Sequence, residues 1–161
     1  MIVVADTSPL GYLIQLGYEG LLPRLFGRIL LPDAVMQELK HPGAPPAVHA
    51  WLAELPGWVD VCFASNEADA ELAFLDPGER QAIQLAEEQA ADLLLIDEKK
   101  GRIEARRRGI RTTGTLGVLL VAGAADLIDP ADAYRRLLTE TTFRTSSTLE
   151  AHFFRRIRSG L

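Results

Sequence analysis

Two apolar stretches of the sequence each end in an aspartate. The stretch "IVVAD" ends at Asp6, and the stretch "DLLLID" ends at Asp97. Short, continuously apolar runs are typical of strands that are buried on both faces of a parallel sheet. Ligands bind such sheets at the carboxyl ends of the strands, so the two carboxylates would share one crevice if the strands are neighbours. Taken singly, each aspartate is equally well explained as the N-cap of the helix that follows it.

Two glutamates are candidates to join these aspartates. Glu38 lies in the predicted helix "PDAVMQELK", and Glu79 lies in the first turn of the predicted helix "LDPGERQAIQLAEEQAA". Each has a local explanation, since Glu38 can be an exposed helix residue and Glu79 can form a capping box with Asp76. We interpret Asp76, Asp33 and Asp129 as helix caps only.

Four carboxylates in one cleft would need a counter-charge. Two carboxylates about 5 Å apart repel each other by about 3 kcal/mol at an effective dielectric constant of about 20. Ligands that are all oxygen favour a hard divalent cation, Mg²⁺ or Mn²⁺. Such an ion can activate water and neutralise charge at a phosphate. The three histidines match no zinc motif, and we find no phosphate-binding glycine loop and no nucleophile elbow.

The charges are divided between the two parts of the chain. The net charge is −5, yet residues 99–161 contain 13 basic and only 6 acidic residues, while residues 1–98 contain 4 basic and 16 acidic residues. The basic stretch "KKGRIEARRRGIR" directly follows Asp97 and Glu98. It is either a solvated helix face or a local surface for a nucleic-acid backbone.

The elements that must position these residues alternate along the chain. Apolar strands alternate with helices, which predicts an α/β protein: a three-layer α/β/α sandwich with a central parallel sheet. A length of 161 residues favours a single domain, with a core over about 1–125 and a C-terminal helical extension over about 130–161. Ser8 is the predicted N-cap of the first helix. One cysteine, with no signal peptide and no membrane span, leads us to expect a cytoplasmic protein.

Five motifs, taken in order, resemble one family. They are "VVADTSPL", "PDAVMQELK", "LDPGERQAIQLA", "LLLIDEKKGR" and "TTGTLGVLL". Together they resemble the PIN domain, and specifically the small prokaryotic PIN-like proteins related to VapC-type toxins. The resemblance covers roughly residues 1–125.

The resemblance implies a Rossmann-like fold and an Mg²⁺- or Mn²⁺-dependent endoribonuclease that hydrolyses RNA phosphodiester bonds. It also implies a homodimer and, for a toxin of a toxin–antitoxin pair, an antitoxin partner. The catalytic, metal-holding residues that it implies are Asp6, Glu38, Glu79 and Asp97. Supporting positions are Thr7 or Ser8 beside the first aspartate, Glu98, and Thr115 after the last core strand. Candidates for contact with the RNA backbone are Lys99, Lys100, Arg102 and Arg106.

Two positions depart from the family pattern, and two other interpretations stay open. Glu79 and Glu98 stand where many members carry aspartate, which keeps the carboxylate but lengthens its arm. One alternative is a non-catalytic PIN-like module that binds RNA or protein. The other is a receiver or dehalogenase-like phosphatase with Asp6 as nucleophile. The phosphatase pattern D-x-D is missing, because the sequence continues "ADTS".

Overall fold

The structure of the protein is a computed structural model that describes residues 1–65 and 69–160. Five parallel strands form one sheet in the order β3-β2-β1-β4-β5. The strands are β1 (Val3–Ala5), β2 (Ile29–Pro32), β3 (Val59–Cys62), β4 (Leu93–Leu95) and β5 (Thr112–Thr113). The α-helices are α1 (Thr7–Leu16), α2 (Leu21–Phe26), α3 (Asp33–Leu39), α4 (Pro46–Ala53), α5 (Pro77–Glu88), α6 (Lys99–Arg107), α7 (Thr115–Ala124), α8 (Pro130–Glu140) and α9 (Ser147–Arg158). A 3₁₀ turn covers Ala70–Leu72.

Strand β1 lies at the centre of the sheet, between β2 and β4. Ala5 pairs with Leu95, and the backbone N–H of Asp6 donates to the carbonyl of Leu95 at 2.9 Å. The chain builds β2 and β3 on one side of β1 and then crosses over to build β4 and β5 on the other. The switch point therefore lies between β1 and β4, where a parallel sheet opens a crevice at its carboxyl edge. The condition under which Asp6 and Asp97 would share one crevice, that their strands are neighbours, is met.

Both faces of the sheet are covered by helices that bury apolar side chains against it, which confirms the predicted three-layer sandwich. Successive strand residues point to opposite faces. Val3 and Leu95 pack with α1, α3, α7, α8 and α9, whereas Val4 and Leu94 pack with α5 and α6. All four side chains are almost inaccessible to solvent. The continuous apolar runs in the sequence thus follow from burial on both sides.

The helix starts confirm some of the predicted caps and correct others. The side chains of Asp76 and Asp129 accept hydrogen bonds from the first turns of α5 and α8, as expected. Ser8 is not the cap of α1: the helix already begins at Thr7, because β1 ends at Ala5 and leaves one residue between strand and helix. Asp33 is likewise the first residue of α3, after Pro32, and makes no capping bond.

The C-terminal helices pack against the rest of the domain through aromatic residues. Phe153 of α9 is 1% exposed, and its ring stacks on Tyr134 of α8 with the centroids 5.0 Å apart. Phe143, in the connection between α8 and α9, packs edge-on against Tyr12 of α1. The C-terminal segment is therefore seated on the layer of helices that also contains α1 and α7. Among the described residues, no helix is long and apolar enough to cross a membrane.

Candidate active site

Asp6 is the buried centre of a group of acidic side chains. It directly follows the last residue of β1, is 4% exposed, and its side chain makes no capping bond to α1. Its Oδ1 is buried and has no hydrogen-bond partner among the described residues. Burial raises the pKa of Asp6 well above its usual value, and the nearby charges of Glu79, Asp76 and Glu38 raise it further. A hydrogen bond from the Thr7 backbone acts in the opposite direction and lowers this pKa. Ionising the side chain of Asp6 is therefore unfavourable in this arrangement.

Glu79 and Asp76 meet at the N-terminus of α5. The carboxylate of Asp76 accepts a hydrogen bond from the backbone N–H of Glu79 at 2.9 Å. This is the bond that the capping explanation predicts between the cap side chain and the helix backbone. Burial, followed by the charge of Asp76, raises the pKa of Glu79 to about 7. The sequence interpretation of Asp76 as a cap only is incomplete, because Asp76 also belongs to the acidic group around Asp6. Its spacing of three residues from Glu79 is the signal that predicts this proximity.

Glu38 reaches the same region from α3. One carboxylate oxygen accepts from the N–H of Gly78 at 2.9 Å, and the other accepts from the hydroxyl of Thr7. A β-carbon on Gly78 would lie 2.5 Å from that carboxylate, so the close approach requires glycine. The hydroxyl of Thr7 therefore contacts Glu38, whereas the resemblance implied that it supports Asp6. Ser8 is exposed and borders the cavity described below.

Asp97 is bound to the start of α7. Its Oδ1 accepts from the N–H of Thr115 and its Oδ2 accepts from the hydroxyl of Thr115, each at 2.7 Å. Burial raises the pKa of Asp97, while both hydrogen bonds and the charge of Arg102 lower it. A β-carbon on Gly114 would lie 2.5 Å from Oδ1. Asp97 is not the cap of the next helix in sequence, since Glu98 holds that position in α6 and makes no capping bond.

The donor chemistry of this group fits a hard divalent cation. All four predicted residues contribute carboxylate oxygens, and Asp6 has a buried oxygen that lacks a hydrogen-bond partner. Within residues 1–65 and 69–160, however, no three acidic, histidine or cysteine side chains form a group that could hold a metal ion. The structure brings Glu38 and Glu79 close enough to Asp6 for their charges to act on it, and it holds Glu38 and Asp97 on helix N-termini.

A cavity of about 830 Å³ opens beside these acids. Its acidic lining residues are Asp76, Glu79, Asp97 and Glu98. Its basic lining residues are Arg102, Arg106, Arg144, His152 and Arg156. The volume is in the range of sites that bind small ligands or short polymer segments. The same cavity is therefore lined by both carboxylates and basic side chains.

Comparison with known families decides the class of the protein. The family model for DUF3368, a PIN domain, matches residues 2–159. The chain belongs to the PIN-domain family. No curated protein and no solved structure matched the chain. The family match confirms the resemblance and extends beyond the residues 1–125 that carried the motifs. It also removes the receiver or phosphatase interpretation, since the PIN domain is a nuclease-type fold.

The basic stretch of this PIN domain divides into two groups that differ in the surroundings of their side chains. Arg102 and Arg106 of α6 line the cavity, and the Nε of Arg106 donates to Thr112 at 3.0 Å. Lys99 and Lys100 are exposed at the start of α6 and are not among the residues that line the cavity.

Arg107 and Arg108 instead form ion pairs with acidic residues of the domain. Their carboxylate partners are Asp69, Glu71, Glu87 and Glu104, at N···O distances of 2.7 to 3.4 Å. The guanidinium of Arg108 is only 9% exposed. Arg108 is therefore structural and lies in neither of the two classes expected from the sequence, whereas Arg107 lies on the solvated face, with its side chain 59% exposed.

Sequence reasoning missed the part of the cavity that the C-terminal segment of this PIN domain forms. Arg144, His152 and Arg156 line the cavity although they are far from the acidic motifs in sequence. A weak signal was present, because Leu149, His152, Phe153 and Arg156 are spaced to share one face of α9. The pattern indicates which residues share a face, but not which part of the domain that face meets.

Proposed function

We propose that this PIN domain is a divalent-metal-dependent endoribonuclease that hydrolyses RNA phosphodiester bonds. The observation that carries the proposal is the buried Oδ1 of Asp6, which has no hydrogen-bond partner among the described residues and lies amid other carboxylates. A buried carboxylate is stabilised by a nearby positive charge, and oxygen ligands favour Mg²⁺ or Mn²⁺.

In this proposal, Asp6 and Asp97 hold the cation directly, while Glu38 and Glu79 complete its surroundings directly or through water. A bound Mg²⁺ or Mn²⁺ would supply charge neutralisation at the phosphate and a water of lowered pKa. The chain's own residues orient the carboxylates. Thr115 fixes both oxygens of Asp97, and the hydrogen bonds from Thr7 and Gly78 fix both oxygens of Glu38.

The RNA backbone would lie against the basic residues of α6. Arg102 and Arg106 support this role because they line the same cavity as the acids. Lys99 and Lys100 would act from the exposed start of the helix. Such contacts set the position of the strand and carry no sequence information, so they would not select a base.

The direct test is cleavage of a labelled RNA with Mg²⁺ or Mn²⁺ by the parent and by Asp6→Asn and Asp97→Asn. Asp132→Asn is a matched control, because Asp132 pairs with Arg135 on α8 and does not line the cavity. The proposal predicts cleavage by the parent and the control only. If no RNA is cut under any metal condition, or if Asp97→Asn cuts as well as the parent, the proposal is wrong.

A role as the toxin of a toxin–antitoxin pair rests on the family resemblance. It includes an antitoxin partner that blocks the site and a homodimer. Light scattering of the purified protein measures the dimer, and growth arrest on induced expression, relieved by Asp97→Asn, measures the toxin role.

A second candidate is a non-catalytic PIN-like module that binds RNA or protein. It is favoured by the hydrogen bonds that Glu38 and Asp97 already accept from the chain's own helix N-termini, and by the lack of a complete ligand group within the described residues. Mn²⁺ titration of thermal unfolding separates the two candidates, since a ligand that binds the native state raises the Tm. An unchanged Tm together with no cleavage supports the module.

A further inference from the structure

We propose that the C-terminal segment binds a phosphate of the RNA in the cavity that the acids also line, through Arg144, His152 and Arg156. This inference rests on the proposed function, because it names where the strand continues beyond the carboxylates. It assigns a binding role to a segment that contributes none of the acidic residues.

The segment is held in place by contacts on its far side. The hydroxyl of Tyr134 donates to the carboxylate of Glu150 at 2.9 Å and also lies 3.0 Å from the hydroxyl oxygen of Thr145. The side chain of Ser146 accepts from Leu149 and caps α9. With Phe153 buried against Tyr134, the helix is fixed by packing and by hydrogen bonds. A wall that is already ordered loses little entropy when a ligand binds.

One face of α9 is turned to the cavity. Leu149, His152, Phe153 and Arg156 line it, at positions i, i+3, i+4 and i+7. Arg155 is the neighbour of Arg156, is exposed, and does not line the cavity. The helix therefore offers two adjacent arginines of which only one faces the site.

The basic side chains of the C-terminal segment that line the cavity form no ion pairs with the described part of the domain. Within residues 1–65 and 69–160, no salt bridge involves Arg144, His152 or Arg156. The Nε of Arg156 is buried and has no hydrogen-bond acceptor among these residues. Because a buried donor without an acceptor is costly, the site fits a ligand that supplies one.

A phosphate matches this wall best. The arginine fork matches phosphate oxygens in shape and charge. The carboxylates that line the same cavity would repel an anion, so a polyanion in the cavity needs positively charged partners. RNA meets this requirement because its phosphates repeat along the strand. An acidic peptide offers the same charge without the repeat of sugar and base, so its binding is the outcome that the test must exclude.

The experiment measures binding of a labelled single-stranded oligouridylate by fluorescence anisotropy in EDTA, with the full chain. Arg156→Gln is compared with Arg155→Gln, and Arg156→Lys serves as a second variant that keeps the charge. We expect Arg156→Gln to weaken binding about fivefold and to reduce the salt slope by about 0.7, as for one lost phosphate contact on a single strand. Arg155→Gln should bind as the parent does, and Arg156→Lys should keep the salt slope.

Equal effects of the two glutamine variants would overturn the inference, and so would tighter binding of an oligoglutamate than of the RNA. Thermal unfolding of each variant shows whether the fold is retained. If Arg156→Gln is unfolded, Arg144→Gln, which removes another lining arginine, is compared with Arg155→Gln instead. Binding that depends on Arg156 without any cleavage in Mg²⁺ would retain this inference and reject the nuclease. RNA cleavage together with RNA binding that does not depend on Arg156 would support the nuclease and reject this inference.

Discussion

Thr115 binds both carboxylate oxygens of Asp97, through its backbone N–H and its hydroxyl, each at 2.7 Å. The pair joins the carboxyl end of β4 to the N-terminus of α7. Thr115 is fully buried, so neither group has water as an alternative partner. The positive end of a helix favours a carboxylate at this position. This contact therefore fixes one of the proposed metal-holding carboxylates at the switch point of the sheet.

Removing the hydroxyl of Thr115 tests this contact. We expect Thr115→Val to lower the free energy of unfolding by about 1–2 kcal/mol, since a buried carboxylate oxygen loses its donor. The backbone bond stays, so RNA cleavage should fall without being abolished. Urea unfolding and cleavage rates measure the two effects. Thr139→Val is the control, because Thr139 is exposed and bonds only to carbonyls of its own helix. Equal losses of stability in both variants would contradict the assigned role.

Adding a methyl group to Gly78 displaces a carboxylate with little effect on the fold. A β-carbon there would lie 2.5 to 2.7 Å from the end of the Glu38 side chain, which can rotate away. We expect Gly78→Ala to keep the Tm within a few degrees and to reduce cleavage strongly. Gly11→Ala is the control: it meets nothing within 4 Å in α1 and should stabilise the helix by up to about 1 kcal/mol. Unchanged cleavage by Gly78→Ala would show that the position of Glu38 is irrelevant.

Neutralising Asp6 should stabilise the metal-free protein. The pKa of Asp6 in the folded state is raised above 3.8, so the folded state disfavours the charged form. The stability is therefore fullest below pH 3.8 and falls as the pH rises toward the folded pKa. We expect Asp6→Asn to raise the Tm in EDTA at pH 7 by a few degrees, with a smaller gain near pH 3.5, and to abolish the Tm increase caused by Mn²⁺. A Mn²⁺ response that survives in Asp6→Asn would refute its role as a ligand.

The ion pairs of Glu104 predict a loss of stability in acid. Hydrogen bonds from Arg107 and Arg108, and their charges, lower the pKa of Glu104 to about 2. A lowered pKa means that the stabilisation is present above the usual value of 4.5 and is lost as the pH falls through about 2. We expect Glu104→Gln to lower the Tm by a few degrees at pH 7 and hardly at all near pH 2. A difference in Tm that does not change with pH would assign the effect to packing. Arg28→Gln, which removes the exposed pair with Asp60, should change the Tm much less.

Local sequence patterns predicted the order of elements and the acids at the strand ends. An apolar run needs no distant partner to be recognised, and the residue that ends it is read directly from the sequence. The neighbouring position of β1 and β4 was only a condition in the sequence argument, and the structure supplies it. Even local rules have limits: Ser8 and Asp33 match cap preferences, but the chain enters α1 two residues earlier, and α3 one residue earlier, than those preferences indicate.

Long-range packing decided the rest of the site. Asp76 looks like an ordinary cap until α5 is placed against β1, and only then does its charge act on Asp6. Arg106 and Arg107 are adjacent in sequence, yet one lines the cavity and the other pairs with Glu71 and Glu104, because the helix turns them to different neighbours.

The sequence by itself determined that this chain is a PIN domain with carboxylates at the centre of its sheet. The tertiary structure alone placed Arg156, some 60 residues after Asp97, on the wall of the same cavity. The physical reason is that helix periodicity shows only which residues share one face of α9. The packing of Phe153 on Tyr134 determines which part of the domain that face contacts.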